Sequence, residues 1–204
     1  MTTGGEGGML TTSDARIWER AWSFKDHGKS YDATQNSQPA AGFRWLHESF
    51  GTNWRLTEMQ SALGRVQLRK LQKFVETRRR NATLLTQAFS AIPGLRVTIP
   101  QAGIEHSYYR YYAFVRPEKL RDGWTRDRIM GAISAEGVPC YSGSCSEIYL
   151  EKAFPKELRP AKRLKVAREL GETSLMFLVH PTLSDKDMFD TCRAVEKVMK
   201  AAAE

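Results

Sequence analysis

The chain has 204 residues, 41% of them apolar and 10% aromatic, which is enough to bury the core of one ordinary domain or of a domain with an appendage. Its three cysteines, Cys140, Cys145 and Cys192, lack Cys-x-x-Cys spacing, so neither a disulfide framework nor a zinc site is expected and a reducing cytoplasm fits; no run of eighteen apolar residues and no basic-then-apolar leader point to a membrane or to export. A net charge of +8 gathers between Arg65 and Arg80 and between Lys156 and Arg168, where basic residues alternate with apolar ones at helical spacing, the pattern of solvated helix faces rather than of a nucleic-acid partner.

In chain order, Gly4, Gly5, Gly7 and Gly8 make a turn that normally joins two elements, and nothing ahead of it supplies the first. No Gly-Lys-Ser/Thr follows, so a nucleotide-triphosphate loop is not indicated. Gly8 to Thr12 reads as a short strand. Ser13 is the expected N-cap of a helix from Asp14 to Asp26, with Ile17, Ala21 and Phe24 on one stripe and Trp18 and Trp22 beside it. From His27 to Thr52 periodicity is lost, yet Tyr31, Phe43, Trp45 and Phe50 remain, and four large rings in so long a loop favour function over a plain linker.

Thr57 and Gln60 have capping-box spacing. The helix they start carries apolar residues at steps of three and four from Met59 to Ile92 and stops at Pro93-Gly94, a length suited to a strut between domains. Beyond it come strands at Leu95 to Ile99 and around Tyr108 to Val115, a helix from Arg126 to Ala135, and a strand near Val138 to Tyr141. A helix from about Ala161 to Thr173, a strand from Leu175 to Val179 and a final helix capped by Ser184 complete an α+β pattern.

Two stretches carry chemistry. Asn53 stands just before a helix, where a side-chain amide can donate to a phosphate oxygen among free backbone amides; the plain alternative is a turn residue. Arg55 can pair with a phosphate or a carboxylate, or serve as a structural ion pair. In the second stretch, Tyr141, Ser142 and Ser144 could bond the hydroxyls of a sugar or the oxygens of its diphosphate, or form a self-capped turn. Cys145 has no neighbouring histidine to make it a nucleophile. His27, among Lys25, Asp26 and Lys29, could carry a proton, but a polar helix end explains it as well. His106 on a tyrosine-rich strand and His180 before Pro181 read as structural.

Three segments resemble the DegT/StrS-type sugar aminotransferases. They are Thr2-Thr3-Gly4-Gly5-Glu6-Gly7-Gly8; Gly51-Thr52-Asn53-Trp54-Arg55-Leu56-Thr57-Glu58-Met59-Gln60; and Ser174-Leu175-Met176-Phe177-Leu178-Val179-His180-Pro181. The resemblance covers essentially the whole chain. It implies an α/β protein, the C-terminal part of a fold-type-I pyridoxal-phosphate (PLP) transferase. Residues 1–52 would be a remnant of the large domain plus an active-site loop, 53–93 a long interdomain helix, and 94–204 a small domain whose mixed or antiparallel sheet is covered by helices. It further implies PLP as cofactor, nucleotide sugar and glutamate as substrates, and a homodimer in which Asn53, with Arg55, reaches the cofactor phosphate of the other subunit.

Tyr31, Arg44, Tyr141, Ser142 and Ser144 are the substrate-side candidates under this resemblance. The Schiff-base lysine would fall just before Met1, so no catalytic residue is expected within the chain, and these residues alone are expected not to transaminate. Two departures stand out: hydroxyls and a thiol replace the histidine and proline usual in the loop after Tyr141, and Tyr109 replaces the second histidine of a His-x-Tyr-His-x-Tyr strand. A different class of reading is a non-catalytic basic α/β binding module.

Overall fold

The computed structural model describes residues 4–35 and 45–203. It contains helices α1 (Ala15–Lys25), α2 (Tyr31–Gln35), α3 (Glu58–Ser90), α4 (Arg126–Ala135), α5 (Lys165–Thr173) and α6 (Asp185–Ala202), and strands β1 (Leu95–Val97), β2 (Tyr111–Val115), β3 (Cys140–Tyr141) and β4 (Ser174–Phe177). Two compact units emerge, one up to Lys70 and one from Leu71 on, with α3 contributing residues to both. Among the described residues no helix is long and apolar enough to cross a membrane.

The later unit is built on an antiparallel sheet of order β1-β2-β4-β3. Along β2, Tyr111, Ala113 and Val115 are buried while Tyr112 and Phe114 are half-buried, the alternation of a strand with one face in the core. That inner face meets Ala82, Leu85 and Phe89 of α3, Ile129 and Ile133 of α4, and Met188, Val195 and Met199 of α6. Phe89 sits between two rings, 5.9 Å from Tyr111 and 5.1 Å from Phe177. Burial of these apolar groups is the main term holding the unit together, at roughly 1.5–3 kcal/mol for each large side chain.

The capping box at α3 and the Ser184 cap of α6 are legible in the sequence. Thr57 Oγ1 accepts from the Gln60 amide at 3.3 Å while Gln60 Oε1 accepts from the Thr57 amide at 3.3 Å. Ser184 and Asp187 do the same for α6. At α1 the cap lies one residue later than expected: Asp14, not Ser13, accepts from the amides of Arg16 and Ile17. A carboxylate at that position also suits the positive end of the helix dipole, which the serine hydroxyl cannot match.

The strand expected over Gly8 to Thr12 is not formed, because these residues find no ladder partner among the described ones. The other strands and α5 are shorter than expected by two to four residues at one end, and β4 begins one residue earlier, at Ser174. The segment expected as an aperiodic loop from His27 to Thr52 holds α2 and a bridge of Lys29 to His47. None of the residues of α1 is buried, so its stripe of Ile17, Trp18 and Phe24 stays exposed.

The basic run of α3 is a solvated face at Arg65, Arg69, Lys70 and Lys73, which are exposed, and departs from one at Arg78 and Arg79, which are not. Arg78 is buried and its Nη1 donates to the carbonyls of Tyr108 and Tyr109, at 3.3 and 2.9 Å. Arg79 bonds the His106 carbonyl and the Glu105 carboxylate, and Arg80 pairs with Asp185. Helical spacing alone cannot separate a cation facing water from one reaching a backbone carbonyl. His106 Nδ1 accepts from the Tyr108 amide, and His180 Nδ1 lies 2.8 Å from Thr182 Oγ1. Each ring is thus engaged with a residue two positions further along the chain.

Candidate functional site

Asn53 is held where α1 ends. The Asp26–Asn53 bridge is flanked by backbone bonds from His27 to the Thr52 carbonyl, from Thr52 to that of Phe24, and from Trp54 to that of Lys25. So close a crossing needs glycine. A Cβ on Gly51 would lie 2.4 Å from the Gly28 nitrogen and 2.7 Å from the Phe24 carbonyl oxygen, and Gly28 itself has φ +80°.

Around this crossing lies a charged cluster. Asp26 is buried, and its carboxylate is paired with Lys29 and Arg55 at 3.4 Å each and with Lys25 at 3.8 Å. Burial alone would raise its pKa, but Lys29, then Arg55 and Lys25, outweigh it and hold the carboxyl below its ordinary range. Arg55 Nε also donates to Asn53 Oδ1 at 3.1 Å, and its Nη2 lies 3.4 Å from His27 Nε2. The carbonyl end of the Asn53 amide is therefore committed, while its Nδ2 has no partner among the described residues. Asp26 is the buried neighbour of Asn53 that the sequence did not reveal; it stands 27 positions from Asn53, and only the fold makes them adjacent.

Tyr31 lies in the same unit, on α2, with edge-to-face contacts to Trp18 at 4.7 Å and Trp22 at 5.0 Å. It lines a cleft of about 930 Å3 with Trp18, Phe24, Ser30, Glu48 and Phe50. Arg44 lies outside the described residues.

Ser142 and Ser144 belong to the later unit and line a shallow pocket of about 370 Å3 with Arg126, Cys145 and Glu172. Tyr141 is on β3, paired with Met176, and its ring is exposed. The backbone of this loop is fixed. Ser174 Oγ donates to the Ser142 carbonyl at 2.6 Å, and Gly143, at φ +88°, packs so tightly on Tyr112 that a Cβ there would sit 2.6 Å from the ring. The hydroxyls of Ser142 and Ser144, by contrast, have no partner among the described residues. Cys140 is buried and its thiol is pushed up to about 12 by that burial, which leaves it inert near neutral pH. All three cysteines are free, and no metal-binding cluster occurs among the described residues.

A small antiparallel sheet covered by helices is the fold that the later unit shares with aminotransferases of fold type I. The aminotransferase of Psychrobacter cryohalolentis is 49% identical in sequence, and its crystal structure matches with a TM-score of 0.92 over 98% of this chain and 53% of that one. The DegT/DnrJ/EryC1/StrS aminotransferase family matches residues 1–196, and the chain belongs to that family. Curated relatives include the spore coat polysaccharide biosynthesis protein SpsC of Bacillus subtilis, 28% identical over 97% of this chain and 51% of that protein. Another is the dTDP-4-dehydro-2,3,6-trideoxy-D-glucose 4-aminotransferase of Saccharopolyspora spinosa, 26% identical over 96% and 49%. The chain thus spans about half the length of the curated relatives it matches.

Proposed function

We propose that these residues serve amino transfer, from an amino-acid donor such as glutamate, to the ketone of a sugar carried on a nucleotide. The family assignment supports the reaction type, and the acceptor named for the Saccharopolyspora relative is a nucleotide-linked keto sugar. PLP, when bound, supplies the electron sink that such a reaction needs.

The observation that carries the reading is the state of Asn53: its oxygen is pinned by Arg55 while its Nδ2 remains available beside Lys25, Lys29 and Arg55. A neutral donor in a cationic setting fits the phosphate end of PLP, since the amide provides direction and the cations provide attraction. In a homodimer Asn53 would be offered to the cofactor of the neighbouring subunit, with Arg55 fixing the amide rather than touching the phosphate. Tyr31, Arg44, Tyr141, Ser142 and Ser144 would be the candidates for contact with the sugar nucleotide. The free serine hydroxyls can both donate to and accept from a polyol. No lysine of this sequence is assigned the Schiff-base role, so the 204 residues alone would not transaminate.

Titration with PLP and with pyridoxal tests this. PLP should shift the side-chain amide resonances of Asn53, and pyridoxal, which lacks the phosphate, should leave them in place. Equal responses to the two compounds, or none to either, would refute the phosphate role. An aldimine absorbance band formed specifically by this chain, at one lysine and not with a lysine-bearing control protein, would refute the inactivity.

A further inference from the structure

We propose that Glu147, Tyr149 and Arg163 form a clasp that sets the conformation of the Ser142–Ser146 loop, and so act as positioning residues for the substrate side. The substrate part of this inference rests on the reading that Ser142 and Ser144 face the sugar nucleotide; the clasp itself does not.

Glu147 is 8% exposed, an unusual place for a carboxylate unless it is fully paired. Arg163 engages both of its oxygens, with Nε donating to Oε1 at 2.9 Å and Nη2 donating to Oε2. Such a two-pronged pair fixes orientation as well as distance. Tyr149 donates its hydroxyl to Glu147 Oε1 at 2.6 Å, and the same hydroxyl accepts from the Leu164 amide at 2.9 Å. The phenol thereby links the carboxylate to the backbone just before α5. Arg163 also reaches Glu172, which Arg168 holds in turn at 2.9 Å, so the clasp is anchored along α5.

The loop is tied at three points that are distant in sequence. Ser174 holds the Ser142 carbonyl. Ser146 packs onto Gly171 so closely that a Cβ there would meet its hydroxyl at 2.1 Å. Glu147 closes the far end through Arg163. Between these ties the hydroxyls of Ser142 and Ser144 have no partner among the described residues. A loop with a fixed backbone and uncommitted hydroxyls is built to present those groups, because the ordering entropy has been met before any ligand arrives.

Glu147 borders the same pocket as Ser142 and Ser144, but both of its carboxylate oxygens are taken by Arg163 and Tyr149. Its action on substrate would therefore be indirect, and a merely stabilising role would be separable from it. If the clasp only added stability, weakening it would lower the melting temperature and speed exchange throughout the unit. If it positions the loop, the effect is local and follows the two-pronged geometry rather than charge alone.

Hydrogen exchange on the full chain tests the clasp in Glu147→Gln, Arg163→Lys and Tyr149→Phe. Each should speed amide exchange across residues 142–151 by about tenfold or more, with amides of β2 and β4 unchanged. Arg163→Lys keeps the charge but loses the fork, so a wild-type exchange pattern in that variant would overturn the proposal. Unchanged exchange in Tyr149→Phe and Glu147→Gln would also overturn it. Should Glu147→Gln unfold the unit, the other two variants decide.

dTDP-glucose serves as the substrate probe. Its affinity should fall several-fold in the clasp variants and in Ser142→Ala/Ser144→Ala, while the serine variant keeps wild-type exchange. Equal affinity in the serine variant would sink the substrate reading but leave the clasp standing. Loosened exchange with unaltered affinity in the clasp variants, alongside weakened binding in the serine variant, would overturn the positioning role.

Discussion

Arg55 Nε holds Asn53 Oδ1 at 3.1 Å, and this contact divides the asparagine amide into a committed carbonyl and an available NH2. The two residues accordingly have different parts. Asn53→Ala should remove the preference for PLP over pyridoxal, whereas Arg55→Gln should reduce it by about three- to tenfold, since the donor remains but is no longer fixed. Titration of both compounds against each variant checks the split. In Arg55→Gln the Asp26 carboxyl should also titrate at higher pH, because one of the cations that outweigh its burial has gone. A carboxyl-detected NMR titration reads that shift.

Glu147 supplies a pH prediction. The hydrogen bond from Arg163, followed by that from Tyr149, lowers its pKa from 4.5 to about 2. For a carboxylate whose folded value is depressed, the contribution to stability is complete above the unfolded value and is lost as pH falls through the folded one. The wild-type chain should therefore lose thermal stability between pH 4.5 and 2, and Glu147→Gln should show a shallower fall over that interval. Melting scans at stepped pH, at fixed ionic strength, measure the difference.

Glycine replacements at two positions should have opposite signs. At Gly51 an added Cβ would press on backbone atoms of Gly28 and Phe24 that cannot move without opening the crossing, so Gly51→Ala should cost about 1–3 kcal/mol. The amides of His27 and Thr52, which bond across this crossing, should lose protection first. Gly64, inside α3, has nothing within 4 Å of its added Cβ. There Gly64→Ala should stabilise by about 0.5–1 kcal/mol through helix propensity. Denaturant unfolding of both variants provides the comparison.

Local and periodic features were legible in the sequence. Thr57 with Gln60, Ser184 as a cap, and the apolar steps of α3 and α6 are determined within a few residues of themselves, and the structure places them as expected. What could not be read depends on distant partners. Gly8 to Thr12 has strand composition but pairs with nothing described. Asp26 looked like an exposed helix end, yet it is buried by the return of the chain at Asn53. Glu147 lay unnoticed beside the serine loop, because its importance comes from Arg163, sixteen positions on. A capping spacing can be counted, whereas a pairing across a fold has no signature in one sequence.

The reading of the chain as a basic binding module makes a distinct prediction from the same arginines. Nucleic-acid affinity depends on how many cations can release phosphate counterions, and log K falls with log salt in proportion to that number. Arg78, Arg79 and Arg80 are engaged with backbone carbonyls or carboxylates, and Arg159, Arg163 and Arg168 likewise hold protein groups. Redirecting them to phosphate would sacrifice those bonds. The cations of the two basic runs that stay exposed with no ion pair among the described residues are Arg65, Arg69, Lys70 and Lys73 on α3 and Lys156, Lys162 and Lys165 in or near α5, fewer than the runs contain. Fluorescence anisotropy with a labelled single-stranded oligonucleotide, from low salt upward, should show weak binding with a shallow slope. A steep slope, reflecting more phosphate contacts than these exposed cations supply, would mean that the engaged arginines leave their protein partners, and would favour the binding module over the aminotransferase reading.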